Sequence, residues 1–361
     1  MSHERLNLRS ILTALTLSLL GGALFNAARI PLPWMLGPLF TVGIAGVCGV
    51  KVSDIRGGRQ AGQLVIGLGL GLYFTAEVSR DILTYSGWIV AAAVSAIGIG
   101  VAGGGIFRRV AEVSPATAFF ASVPGGAAEM AILAERAGAR FDQVALCHSI
   151  RVLFAVSIIP VAVTMTGATG NDIFRSPATA VAASGLVILF ALAIVAGYLC
   201  VKAGIPNAWL LGPLTVSLLL TTSGHALSAV PPLLVTVGQL LIGCSLGVRF
   251  TPAFLSESRL LLVGVVVNAV YTVAASAVVG VLLAWQMGLP TAMMVLASSP
   301  GGLAEMCLTA KILKLGVPLV TSFQVARLAI VVTCSLPCWR LMQCLQLSGA
   351  RHAENKMNSP C

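Results

Sequence analysis

Apolar stretches long enough to cross a bilayer follow one another along this chain, separated by short polar gaps. A span needs about 20 residues, fewer where a helix is short or broken. Candidates fall at roughly 10–28, 34–50, 60–76, 82–106, 115–135 and 141–166. A polar gap, Gly167 to Pro177, contains Gly170-Asn171-Asp172. Six more candidates follow at roughly 179–200, 207–223, 233–249, 260–285, 291–310 and 317–345. Residues 348–361 form a polar tail, expected to be disordered. Arg5 and Arg9 ahead of the first run give it the look of a signal peptide. No small-residue cleavage site follows, so a retained anchor helix is expected.

Composition agrees with this reading. Only 9% of the 361 residues are charged and 57% are hydrophobic, with a mean hydropathy of +0.96. A soluble domain carries about 25% charged residues. Lys and Arg number 22 against 12 Asp and Glu, a net charge of +10. The basic residues sit singly or in short groups between apolar runs, as in cytoplasmic loops of membrane proteins, and form no solvated patch for nucleic acid. Of the nine cysteines, Cys48, Cys147, Cys200, Cys244 and Cys307 lie in or beside apolar runs, where Cys serves as a small hydrophobe. Cys334, Cys338 and Cys344 have no CxxC pair or neighbouring His. No nucleotide-binding motif is present, and Gly67-Leu68-Gly69-Leu70-Gly71 reads as close helix packing. No cofactor or metal is expected.

The chain repeats itself. Pro33-Trp34-Met35-Leu36-Gly37-Pro38-Leu39 answers Ala208-Trp209-Leu210-Leu211-Gly212-Pro213-Leu214, 175 residues on. Gly62-Gln63-Leu64-Val65-Ile66-Gly67 answers Gly238-Gln239-Leu240-Leu241-Ile242-Gly243, 176 residues on. Ser122-Val123-Pro124-Gly125-Gly126-Ala127-Ala128-Glu129-Met130 answers Ser298-Ser299-Pro300-Gly301-Gly302-Leu303-Ala304-Glu305-Met306 at the same offset. Phe74-Thr75 matches Phe250-Thr251, and Arg151 matches Arg327. Two tandem repeats, residues 1–170 and 171–347, are therefore expected, as in many secondary transporters.

These paired motifs resemble the AbrB duplication family of bacterial inner-membrane proteins, which is distinct from the small DNA-binding regulator of the same name. The resemblance runs from about Leu8 to about Gln346. It implies an inner-membrane protein of poorly defined activity. Some relatives carry a gene-regulation label and others an ammonia monooxygenase label; neither follows from these residues.

Charge chooses the topology. Pro124-Gly125-Gly126 interrupts a run barely long enough to span, since Pro removes a donor and Gly-Gly loosens the helix. With Arg151 and Arg327 set aside, twelve crossings place eleven Lys and Arg inside and nine outside. With both PGG segments re-entrant the count becomes fifteen inside and five outside. The positive-inside rule prefers the second arrangement. The expected fold is an all-α polytopic membrane protein with ten transmembrane helices, two re-entrant PGG helices, inverted-topology repeats and both termini cytoplasmic. Re-entrant Gly-Gly loops also resemble those of citrate–sodium symporters, an analogy at the level of fold.

Charges inside a bilayer cost about 2.5–3.5 kcal/mol each on insertion scales, so the few placed there are informative. Arg151 and Arg327 lie mid-way along apolar runs, and Glu129 and Glu305 each precede their Arg by 22 residues. One reading pairs each Glu with its Arg structurally. The other adds the helix breaks, whose exposed N–H groups and positive helix ends suit an anion. That site would comprise Ser122, Gly125, Gly126, Glu129 and Arg151 with Ser298, Gly301, Gly302, Glu305 and Arg327, the glutamates binding H⁺ or Na⁺. Ser299 adds a further hydroxyl. His148, whose counterpart is Gln324, and Gln63 and Gln239 are secondary candidates. Trp34 and Trp209 read as interface anchors. His3, His225 and His352 lie at termini or in a loop, leaving His148 alone in the membrane. With no ligand cluster or Ser-His-Asp grouping, an enzyme is not expected. The expected partners are the lipid bilayer and a small molecule or ion, without nucleic acid; a homo-oligomer is compatible with the sequence. The functional expectation is a transporter or exporter of a small, anionic or zwitterionic metabolite, the alternative being a membrane regulatory protein that moves nothing.

Overall fold

A computed structural model describes residues 8–168, 180–252 and 258–357, the side chains beyond residue 344 excepted. All its regular elements are helices. The first half holds α1 (Leu8–Ala27), α2 (Pro33–Val47), α3 (Gly58–Gly71), α4 (Ala76–Thr84), α5 (Ser86–Ala111), α6 (Pro115–Ser122), α7 (Ala127–Arg136) and α8 (Phe141–Met165). The second holds α9 (Ala183–Lys202), α10 (Ala208–Thr222), α11 (Pro232–Gly247), α12 (Arg259–Met287), α13 (Thr291–Ser298), α14 (Leu303–Ile312) and α15 (Val317–Met357).

Among the described residues, six helices are long and apolar enough to cross a bilayer: α1, α5, α8, α9, α12 and α15. The apolar helices α2, α10 and α11 are shorter, at 15, 15 and 16 residues. The run expected over 60–76 instead ends at Gly71, and α3 and α4 meet at 89°. Thr75 starts the new helix by accepting a hydrogen bond from the Val78 N–H at 3.3 Å. Nor does the tail separate at residue 348, because α15 continues to Met357. Its few charges do not oppose helix, and the stretch has no Pro or Gly after Gly349 until Pro360. The Asp172 loop lies outside the described residues.

The helices form two groups. In the first, α1, α2, α11, α3, α10 and α9 pack in that spatial order as a panel. The second is a bundle of α5, α8, α12 and α15 that encloses the short pairs α6–α7 and α13–α14. Small residues let the panel helices touch, as expected where lipid offers no hydrophobic drive to association. A Cβ at Gly71 would come within 2.5 Å of the Leu214 carbonyl oxygen, and one at Gly62 within 2.6 Å of the Gly238 oxygen. Gly67 meets the Leu210 backbone and Gly243 the Met35 backbone in the same manner. The glycine run in α3 is thus a packing surface against α10.

The helix breaks follow from proline. Ser114 caps α6 through the Thr117 N–H, and Pro115 occupies the first turn. Val123 and Ser299, each preceding a proline, are driven into extended backbone and end α6 and α13. The chain then reverses. The Arg140 N–H at the foot of α8 donates to Thr117 Oγ1 near the start of α6, at 3.2 Å. The entry of α6 and the exit of α7 therefore lie side by side, and the pair is a hairpin whose tip is half-buried at Gly125 and Gly126. Phe119 and Phe120 hold it against Trp339 of α15, at centroid separations of 5.5 and 6.0 Å. Non-helical backbone at such depth is tolerated where it is buried in protein or lines a cavity.

Candidate functional site

The tips of both hairpins meet at one cavity of about 250 Å³. Gly125 and Gly126 line it from the first tip, Gly301 and Gly302 from the second. Glu129, Glu305 and Arg327 stand beside them. The panel supplies the opposite wall: Arg59, Gln60 and Gln63 from α3, Asn207 and Trp209 at the start of α10, and Arg249 just after α11. Gln63 Nε2 donates to Asn207 Oδ1 at 3.3 Å, tying the two panel helices at the cavity rim.

The expected Glu–Arg pairs do not form. The ion pair seen among the described residues joins Arg140 to Asp142 at the surface. Each buried arginine instead closes the carbonyl end of a half-helix. Arg151 donates from Nη1 to Val123 O (3.3 Å), and from Nη2 to Gly125 O (3.1 Å) and His148 Nδ1 (2.7 Å). His148 Nε2 reaches Phe120 O at 2.9 Å. The same contacts recur 176 residues later. Arg327 donates from Nη1 to Ser299 O, and from Nη2 to Gly301 O (3.2 Å) and Gln324 Oε1 (2.7 Å). Gln324 Nε2 donates to Leu296 O at 2.8 Å. The physical reason is the helix break: Phe120 O and Leu296 O belong to the unsatisfied last turns of α6 and α13, and the Val123, Gly125, Ser299 and Gly301 carbonyls lie in the non-helical links that follow.

The glutamates serve the opposite ends. Gly126 and Gly302 are the N-caps of α7 and α14, which places Glu129 and Glu305 in the first turn. Each carboxylate folds back so closely over its glycine that a Cβ there would strike Oε2. Acidic side chains at a helix N-terminus offset its positive end. The glutamates thus offset the positive helix ends and main-chain carbonyls accept from the buried guanidiniums, in place of Glu–Arg pairs.

Other expected residues fall elsewhere. Arg151, His148, Ser122 and Ser298 are buried outside the cavity lining. The hydroxyls of Ser122, Ser298 and Ser299 are buried without a hydrogen-bond partner among the described residues. Gln239 is buried in α11 and does not line the cavity. Trp34 and Trp209 are packing residues before they are anchors: their rings lie on Gly22 and Gly197 of the preceding helices, and Trp209 also faces the cavity. Sequence reasoning missed Arg59, Gln60, Asn207 and Arg249. Arg59 carried a readable signal, since it lies four residues before Gln63 and so shares its helix face.

Buried helix breaks at a polar cavity, inside a shell of long apolar helices, define a multi-pass α-helical membrane protein. The chain belongs to the AbrB family: the profile described as "Transition state regulatory protein AbrB" matches residues 34–343. It is 25% identical to "Uncharacterized protein YhjN" of Bacillus subtilis (strain 168), over 97% of this chain and 96% of that protein. It is also 25% identical to "Putative regulator AbrB" of Escherichia coli (strain K12), over 86% of this chain and 90% of that protein.

Proposed function

We propose that the protein is a secondary transporter or exporter of a small anionic or zwitterionic metabolite in the bacterial inner membrane. The observation that carries this reading is the convergence of two Gly-Gly helix breaks on one polar cavity. Discontinuous helices meeting near the middle of a bundle are the usual construction of substrate sites in such proteins. Three guanidiniums, of Arg59, Arg249 and Arg327, face two carboxylates, which favours a negatively charged group. Glu129 and Glu305 are the coupling groups for H⁺ or Na⁺. Glu305 is only 4% exposed and makes no ion pair among the described residues, while Glu129 is half-buried.

In this reading the chain has ten crossings, counting the short helices α2, α3, α10 and α11, with two re-entrant hairpins, inverted repeats and cytoplasmic termini. The Arg140–Thr117 contact at the mouth of the first hairpin supports re-entry. Arg59, Asn207 and Arg249 all lie at helix ends that the positive-inside arrangement assigns to the cytoplasm. The cavity is then inward-facing, and rocking of the bundle against the panel would expose it to the other side. A membrane regulator that moves nothing is the second reading, motivated by the regulator names among relatives. Metabolite profiles of cells with and without the protein decide between them. Transport predicts a small acidic or zwitterionic compound displaced between cells and medium; an unchanged profile alongside altered gene expression supports the regulator.

A further inference from the structure

A second, smaller space lies beside the polar cavity. This gap of about 10 Å³, room for about one water, shares Val152, Leu246 and Arg249 with the cavity wall. The other side of that gap is formed by Leu39, Leu153 and Phe250, and these residues also line a third space, a groove of about 370 Å³. The groove lies at the seam between panel and bundle, between α2 on one side and α8 and α12 on the other, and its lining is apolar throughout. Ile44 on its rim is 63% exposed, so the groove opens at the protein surface, on the flank of the apolar helix α2. Arg249 stands at the neck, touching both the polar cavity and the gap that leads to the groove.

We infer that the site takes a single-chain anionic amphiphile of the fatty-acid class, with its carboxylate at Arg249 and its alkyl chain in the groove. This deepens the transport reading and rests on the cavity being a ligand site. Charge and polarity change together across three neighbouring spaces: guanidiniums line the polar cavity, Arg249 and Ser149 line the gap beside it, and the groove beyond is lined by apolar side chains. A freely soluble metabolite uses no such exit. An amphiphile entering from the bilayer needs a lateral opening, an apolar slot and a cation where the two meet. Arg249 lines the one-water gap as well as the cavity, so a carboxylate at the inner end of the groove meets the guanidinium across that gap without the chain having to enter the polar cavity.

The test uses the full-length protein in phosphatidylcholine nanodiscs, with a twelve-carbon fatty acid bearing a mid-chain diazirine as photoprobe. Labelling should concentrate on Phe40, Ile44 and Phe154, and excess dodecanoate should suppress it at least tenfold more effectively than dodecanol. Ile44→Trp, which fills the slot from an exposed position, should lower labelling, and Arg249→Gln should abolish the advantage of acid over alcohol. Equal suppression by dodecanol, or labels spread over every lipid-facing helix, would mean ordinary bilayer lipid in the groove and would overturn the proposal. Stronger suppression by phosphatidylglycerol than by dodecanoate would overturn it in favour of a two-chain lipid. Flux in proteoliposomes separates the two levels of the account. Movement of short-chain acids with no gain from chain length would sink the amphiphile and leave transport standing. Dodecanoate captured at the groove, with no acid of any length crossing, would sink transport and leave the binding site.

Discussion

The two arginine clamps differ in one residue, and that difference makes a sharp experiment. Arginine only donates, so His148 Nδ1 must accept from Arg151 and Nε2 must carry the proton given to Phe120 O. Gln324 does the same work at its position, with Oε1 accepting from Arg327 and Nε2 donating to Leu296 O. His148→Gln should therefore preserve both bonds, whereas His148→Leu strips an acceptor from a guanidinium 2% exposed and a donor from a buried carbonyl. Hydrogen bonds between membrane helices average only about 0.6 kcal/mol, because the unfolded chain finds other partners in the bilayer. Bonds to a charged group in a dry site are worth about 1.5–3 kcal/mol, and a stranded partner adds its desolvation. The charged, fully enclosed setting should win, so we expect a loss of about 2 kcal/mol for His148→Leu and less than about 0.5 kcal/mol for His148→Gln. Thermal unfolding of purified protein in one detergent reads both. If His148→Gln falls as far as His148→Leu, the equivalence of the two clamps is wrong.

Other expectations follow from the same contacts. Because Glu129 and Arg151 do not pair, Glu129→Ala and Arg151→Ala should be additive in stability within about 0.5 kcal/mol; partial recovery in the double variant would restore the pairing. Gly67→Ala pushes a methyl into the Leu210 backbone and should cost about 1–3 kcal/mol, while Gly98→Ala meets open space and should be neutral or stabilising by up to about 1 kcal/mol, both readable as shifts in unfolding midpoint. Glu305→Gln should fold with wild-type yield yet lose dependence of flux on the driving ion gradient; unchanged dependence would remove Glu305 from coupling. Reporter fusions at Lys51, Asp172 and Ser348 should report cytoplasm, periplasm and cytoplasm, and a cytoplasmic signal at Asp172 would restore the twelve-crossing topology.

Much of the architecture was legible because the bilayer simplifies the code. Apolar length marked the long helices, and Pro-Gly-Gly marked the breaks, since proline forces its predecessor out of the helical region whatever the surroundings. The bend after Gly71 was less visible: Phe74-Thr75 carries a cap signal, but the apolar run continues through it. The site was half legible. Glycines and glutamates at the tips could be read from spacing within one segment. The arginine partners could not, because backbone carbonyls have no sequence identity, and a carboxylate was the only visible candidate for neutralising a buried cation. Arg249 was hidden for a related reason, and Arg59 was marked only by its spacing from Gln63. Near the ends of apolar runs a charge that faces a cavity looks the same as a charge that faces the cytoplasm.

The central claim is that the meeting point of the two hairpins is a route for a small acid, and flux tests it most directly. Purified protein in liposomes would be given a panel of labelled carboxylates and amino acids under an imposed proton or sodium gradient. The account predicts gradient-driven movement of at least one anionic or zwitterionic compound, reduced tenfold or more by Arg327→Gln in protein that still folds. No movement of any compound under either gradient, with the wild-type protein folded and correctly inserted, would contradict it.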